Sequence, residues 1–252
     1  MSVLLQADKL CATFGSLRAV REVSLQVRAG ERLTILGTNG AGKSTLFNLI
    51  AGDLAVTSGS ILYRGQSIEQ LSAASRTRMG ISRSYQTSRV LQGLTVQDNM
   101  FLAVQGVRRG RFGIRVAGLG HPIRREAAET LARVGLQGVE LELAGNLSHG
   151  QQRQLEIAMA LASQPQLLLL DEPAAGLSPN ERPALVDLLR ALPEDVTMIM
   201  IEHDMDVALQ VADRVMVMHE GEVVFQGTPE ETAASPLVRS LYLGYAGDHN
   251  AA

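Results

Sequence analysis

Gly37-Thr38-Asn39-Gly40-Ala41-Gly42-Lys43-Ser44 is the stretch of this sequence best equipped for chemistry. Its spacing, G-x-x-x-x-G-K-[ST], lets glycine-permitted turns aim successive backbone N–H groups inward, which makes a cradle for phosphate oxygens. In that arrangement Lys43 reaches the outer phosphates and the Ser44 hydroxyl is placed to ligate Mg²⁺. A bare glycine-rich turn would not need the lysine and hydroxyl at these places. Arg32 to Leu36 reads as a strand ahead of the cradle, and Ser44 to Ile50 as a helix behind it. The N-terminus of that helix adds positive potential where a nucleotide is most negative.

Two carboxylates and a histidine follow apolar runs of the same kind. Leu167 to Leu170 is continuous, as expected of a parallel strand covered on both faces, and it ends abruptly in Asp171-Glu172-Pro173. Asp171 suits a Mg²⁺ ion held through water, and Glu172 can orient and polarise an attacking water. Thr197 to Ile201 likewise stops at Glu202-His203-Asp204. Ligands of open parallel sheets collect at the carboxyl ends of strands, so Gly37, Asp171 and His203 are expected to converge. His121, His219 and His249 have no spacing that joins them into a metal set.

A second anion site is expected at Leu147-Ser148-His149-Gly150-Gln151-Gln152, ahead of a helix whose Leu155, Ala158, Met159 and Ala162 share one face. Ser148 and the Gly150 amide stand at that helix start. One chain therefore has two phosphate-binding elements but one cradle. A twofold head-to-tail dimer reconciles them, each chain's Ser148 element covering the nucleotide on its partner's cradle.

The elements that must position these groups are legible in outline. Val3 to Lys9 and Ala19 to Val27 are strand-like, broken by Gly15 and Gly30, and suggest an antiparallel edge. Phe14, between them, reads on the burial habits of Phe as core more readily than as a stacking face for a base. Ser60 to Tyr63 and Ile81 to Tyr85 are further strand candidates. Val96 to Gln105 and Ile123 to Val134 have helical spacing, so residues 87–146 read as a mainly helical insertion. Between them, residues 106–120 are basic and poorly periodic, suiting a solvated loop or contact with lipid headgroups or a membrane partner. Residues 235–252 read as a frayed terminus.

The 252 residues suit one large α/β domain with a smaller insertion. A net charge of −3 without a basic bias argues against nucleic acid as partner. Asp8 and Lys9 interrupt the N-terminus, which does not resemble a secretory signal, and no apolar run approaches the ~20 residues that cross a bilayer. Work at a membrane would then go through a partner. Cys11, the only cysteine, excludes an internal disulfide and reads as a small buried thiol.

In order and spacing these motifs resemble the ATP-binding subunit of an ABC transporter. Gly37–Ser44 matches the Walker A motif, Gln86 the Q-loop, Leu147–Gln151 the signature, Leu167–Asp171 Walker B with Glu172 as catalytic glutamate, and His203 the switch histidine. The resemblance implies an α/β P-loop NTPase of the ABC type, with a parallel-sheet core, an N-terminal antiparallel β subdomain and an inserted α-helical subdomain. The core with its β part would span 1–86 and 147–234, the helical subdomain 87–146, and a C-terminal tail 235–252. It implies ATP contacts from Phe14, Gly37, Thr38, Asn39, Gly40, Ala41, Gly42, Lys43, Ser44 and Thr45, with Ser148, Gly150 and Gln151 acting from the partner chain. Ser44, Gln86 and Asp171 would organise Mg²⁺, and Glu172, His203, Lys43 and Gln86 would serve hydrolysis. The implied partners are a second ATP-binding subunit, two transmembrane permeases and an extracytoplasmic substrate-binding protein, with the chain peripheral on the cytoplasmic face of the inner membrane.

Arg153-Gln154-Leu155-Glu156-Ile157-Ala158, Glu172-Pro173-Ala174-Ala175-Gly176-Leu177, Ile201-Glu202-His203-Asp204-Met205 and Tyr242-Leu243-Gly244 are similar to the branched-chain amino-acid uptake branch. Importers of urea, amides and carboxylates are near relatives. Export of lipid or polysaccharide, or a soluble regulatory ABC ATPase, are the alternatives. The Glu202-His203-Asp204 context disfavours the first, and the chain length disfavours the second. Two positions depart from the wider pattern: His149 replaces the usual signature glycine, and Ser178 stands where an aspartate usually falls.

Overall fold

Alternating apolar residues at the N-terminus build a long antiparallel hairpin, β1 (Val3–Phe14) and β2 (Leu17–Arg28), which turns at Gly15-Ser16 with Gly15 at φ +59°. The computed structural model describes residues 2–84, 90–107 and 122–243. The hairpin outruns the two apolar runs that announce it, because β4 (Ser58–Tyr63) pairs along the other edge of β1 and extends the ladder. With β5 (Gln66–Ser67) the order is β2-β1-β4-β5. Leu10 and Ala12 point inward and are buried, so the alternation turns Cys11 outward. It is half-buried rather than buried, and its Sγ accepts from the Glu22 amide at 3.4 Å.

The larger sheet, among the described residues, has the order β10-β9-β3-β8-β7-β6. Parallel pairing joins β3 (Arg32–Gly37), β6 (Ile81–Arg83), β7 (Leu167–Asp171), β8 (Thr197–Ile201) and β9 (Arg214–His219), and β10 (Glu222–Gly227) adds an antiparallel edge. The continuous apolar runs are explained by burial on both faces. Leu167 and Leu169 pack with α1 (Lys43–Ala51) and the antiparallel sheet. Leu168 and Leu170 pack with α5 (His149–Leu161), α6 (Arg182–Arg190) and α7 (Met205–Val211). The strand expected over Ile81–Tyr85 ends at Arg83, although the Ser84 amide still donates to the Leu169 carbonyl at 2.9 Å. Tyr85 lies outside the described residues.

A short α2 (Ala73–Arg78) precedes β6. α3 (Val96–Val107) and α4 (Pro122–Arg133) bury Met100, Val104, Ile123, Ala127 and Leu131 against Leu155 and Ala158 of α5. Most of the basic segment between them, residues 108–121, lies outside the described residues. The expectation of a frayed terminus is corrected over its first part. After α8 (Pro229–Ala234), α9 (Pro236–Leu243) docks with Val238 fully buried against Leu36, Ala208, Val215 and Val217. The apolar face of β9 needs that cover, and a terminal helix with an apolar stripe supplies it. No helix among the described residues is long and apolar enough to cross a membrane.

Candidate functional site

Two of the cradle glycines are required by the backbones that crowd them. A Cβ on Gly37 would sit 2.4 Å from the Met218 carbonyl oxygen, and one on Gly42, at φ +94°, would sit 2.3 Å from that of Ala19. β9 thus closes one side of the loop and the start of β2 the other. α1 begins at Gly42 with no side chain capping it and no acidic residue in its first turn, which suits its amides to phosphate. Lys43 is buried, and its Nζ donates to the Gly37 carbonyl at 2.6 Å and the Thr38 carbonyl at 3.0 Å. Burial pushes its ammonium below the usual lysine range, against the opposing pull of Glu172, Asp171 and Glu202. Phosphate oxygens would compensate such a cation better than two carbonyls do.

A pocket of about 520 Å³ is lined by Asn39 to Thr45, Glu172 and the hairpin residues Leu17 to Ala19 and Arg21. Phe14 pairs with Leu17 at the hairpin tip and is 49% exposed. The reading of Phe14 as core is therefore corrected. β1 carries it past the covered part of the sheet, where an aromatic face is free to stack.

Asp171 ends β7 and is almost fully buried. Its Oδ2 lies 2.8 Å from the Arg83 guanidinium, while its Oδ1 is buried with no hydrogen-bond partner among the described residues. A buried, unpartnered carboxylate oxygen fits a hydrated divalent cation, and Ser44 stands exposed at the start of α1 to share it. Arg83 also bonds Asp53 at 2.7 Å and Asn48 Oδ1 at 2.6 Å and lies over the Phe47 ring. It ties the cradle helix to the Asp171 carboxylate. Sequence reasoning missed this residue, and the one available signal was a lone arginine inside a short buried strand. Arg83→Leu should cost about 3 kcal/mol by chemical denaturation, since it strands a buried carboxylate.

Glu172 is held at φ +46°, a left-handed conformation that costs a non-glycine residue roughly 1 kcal/mol and commonly marks functional positions. Its amide bonds the Ile201 carbonyl at 3.0 Å, and its Oε2 lies 3.7 Å from His203 Nδ1. Glu202, also missed, is fully buried and accepts from the Ala174, His203 and Asp204 amides at 2.7, 3.2 and 3.4 Å. Burial pushes its carboxyl above the usual range, opposed by those amides. Its role is to fix the turn that presents His203. β3, β8 and β7 are parallel neighbours, so the structure brings Gly37, Asp171, Glu172 and His203 together at the carboxyl ends of these strands. Gln86 lies outside the described residues.

Ser148 caps α5 in a capping box: its hydroxyl accepts from the Gln151 amide at 3.2 Å, and Gln151 Oε1 accepts from the Ser148 amide at 3.0 Å. The Gly150 amide donates to Glu181 Oε1 at 3.2 Å. Farther along α5, Arg153 donates to the carbonyls of Asp171 at 2.9 Å and Pro173 at 3.0 Å, joining this helix to the Asp171–Pro173 turn. Ser148, Gly150 and Gln151 line a separate pocket with Asn180 and Glu181, and none of them lines the pocket around the cradle.

Comparison with known proteins agrees with this geometry. The family model described as ABC transporter matches residues 20–175. The high-affinity branched-chain amino acid transport ATP-binding protein LivG of Salmonella typhimurium is 39% identical over 96% of this chain and 98% of its own. BraF of Pseudomonas aeruginosa, with the same description, is 36% identical over 96% and 98%. Among solved structures, the ADP conformation of MJ1267, an ATP-binding cassette of an ABC transporter, superposes with a TM-score of 0.86 at 27% identity, covering 97% of this chain and 100% of that one. A dimeric post-hydrolysis state of the cassette MJ0796 bound to ADP and phosphate superposes at 0.76 with 25% identity, covering 90% and 99%. With a P-loop cradle, a carboxylate pair and a histidine at the carboxyl ends of neighbouring strands and this kinship over nearly its whole length, the chain belongs to the ABC transporter family, as one of its ATP-binding, ATP-hydrolysing cassettes.

Proposed function

We propose that this chain energises an importer of branched-chain amino acids or related small amides and carboxylates, as half of a dimer that binds two Mg²⁺-ATP. The observation that carries the reading is the pairing of a complete cradle with a Ser148 element that opens elsewhere on the surface. Each nucleotide would lie between the cradle of one chain and Ser148, Gly150 and Gln151 of the other, as the dimeric relative supports. Phe14 would stack on the base. Lys43, Thr45 and the amides of residues 37–44 would hold the phosphates. Mg²⁺, held by Ser44, Gln86 and Asp171 through water, would neutralise charge on the transferring phosphoryl group. Glu172 would accept the proton of the attacking water, and His203, beside it, would hold the γ-phosphate region.

Residues 87–146 would form the helical subdomain that leads into the signature at Leu147–Gln151 and, with Gln86, receive the transmembrane permeases. Residues 1–86 and 147–234 would form the core, and 235–252 its tail. The partners would be a second ATP-binding subunit, two permeases and an extracytoplasmic binding protein, with the chain on the cytoplasmic face of the inner membrane. The names of LivG and BraF support the substrate class. Cells lacking the chain should lose energised uptake of labelled leucine, isoleucine or valine. Restoring the native chain, but not Lys43→Ala, should return it; undiminished uptake without the chain would overturn the assignment.

A further inference from the structure

We infer that Glu181 is a positioning residue that occupies, from within the same chain, the Gly150 amide meant for the partner's nucleotide, so that ATP must displace it for the dimer to close. The inference rests on the proposed trans role of the Ser148 element. Glu181 stands at the start of α6 but does not cap that helix with its side chain. Instead Oε1 accepts from the Gly150 amide at 3.2 Å, while Oε2 accepts from the Ser178 amide at 2.9 Å and the Ser178 hydroxyl at 2.7 Å. All three contacts suit an ionised carboxylate. The Ser178 hydroxyl and amide, then the Gly150 amide and the His149 side chain, hold its pKa below the usual range. A Cβ on Gly150 would come within 3.1 Å of Oε1, so the carboxylate seats directly against the helix start.

Physical exclusion follows from charge. A carboxylate and a phosphate cannot share one amide, because two anions at hydrogen-bond distance from the same donor repel each other. Closure of the dimer on ATP must therefore turn Glu181 away from Gly150. The Ser178 hydroxyl, at the position where the family usually has an aspartate, is the anchor that resists this. The next residue is held fast: Arg182 pairs with Asp204 at 2.5 Å, and Asp204 Oδ1 caps α7 by accepting from the Val207 amide at 3.1 Å. In the absence of ATP, Glu181 satisfies the Gly150 donor and opposes association. This gives the Ser178 departure a role in this chain.

The test measures Mg²⁺-ATP-driven dimerisation by sedimentation, in chains that also carry Glu172→Gln so that the nucleotide persists. Glu181→Gln should lower the ATP concentration for half-maximal dimer about threefold, the scale of one exposed charged contact. Binding of a fluorescent ATP analogue to the monomer should stay unchanged, because the cradle is untouched; a merely structural defect would move it. Ser178→Ala should shift dimerisation in the same direction, and it carries the test if Glu181→Gln does not fold. An unchanged or raised ATP requirement in the folded variant overturns the inference. Ser148→Arg in the same assay should abolish dimerisation. If it dimerises normally, the trans reading fails and the inference with it, whereas loss with Ser148→Arg and no shift with Glu181→Gln rejects the inference alone.

Discussion

Glu172→Gln should slow ATP hydrolysis by at least about 10²-fold while leaving ATP binding intact, because a general base is worth about 10²–10⁴ in rate and the amide cannot accept the water's proton. The geometry makes this prediction specific to one carboxylate. Glu202 is consumed by three backbone amides, and Asp171 is tied to Arg83 through one oxygen. Glu172 lines the cradle pocket and lies beside His203. Phosphate release at saturating Mg²⁺-ATP measures the rate, and sedimentation should show the ATP-bound dimer accumulating because hydrolysis no longer opens it. Turnover within a few fold of native would remove Glu172 from the role. The glutamine keeps the left-handed backbone and side-chain volume, so a large loss could not be blamed on a collapsed turn.

Complementation between two dead variants should recover roughly a quarter of native activity. Lys43→Ala empties the cradle of its cation, and Ser148→Arg fills the helix start with bulk and charge; each alone should reduce hydrolysis to near background. In an equal mixture that exchanges freely, about half of the dimers are mixed. In each of these, one composite site holds both lesions and the other holds neither. Recovery thus requires that Lys43 and Ser148 serve different nucleotides within one chain. No recovery, with exchange verified by labelled subunits, would mean that both residues serve the same nucleotide or that two intact sites are needed together. The separate pockets around Lys43 and Ser148 favour the first outcome.

Much of the site was legible because its chemistry is local. A phosphate cradle is made by consecutive amides, a lysine and a hydroxyl within eight residues, so Gly37–Ser44 carries nearly its whole geometry in its own spacing. The β7 and β8 runs announce themselves because burial on both faces demands unbroken apolar residues, and the polar residues that follow mark the carboxyl ends of the strands. α9 escaped for the opposite reason. Its helical pattern is short and terminal, and its ordering comes from a β9 face that no local pattern describes. Residue type taken alone reads Phe14 as core and Cys11 as buried because it reports average burial, whereas strand register decides which face each side chain takes; the exposure of Phe14 agrees instead with the nucleotide contact that the family resemblance implies.

By itself, then, the sequence determined the family and the fold class through the resemblance its motifs carry, and it singled out Gly37–Ser44, Asp171, Glu172 and His203 as candidate groups, since these follow from short-range spacing and from strand-end polarity. Only the tertiary structure decided which distant group each of these charged side chains meets. Arg83 reaches Asp171 across 88 residues, Glu181 reaches Gly150 across 31, and Glu202 reaches the Ala174 amide across 28. Such pairs depend on which strands and loops become neighbours. Periodicity fixes the face a residue takes within its element, and the desolvation cost of an unpaired buried charge selects its partner only after the elements have packed.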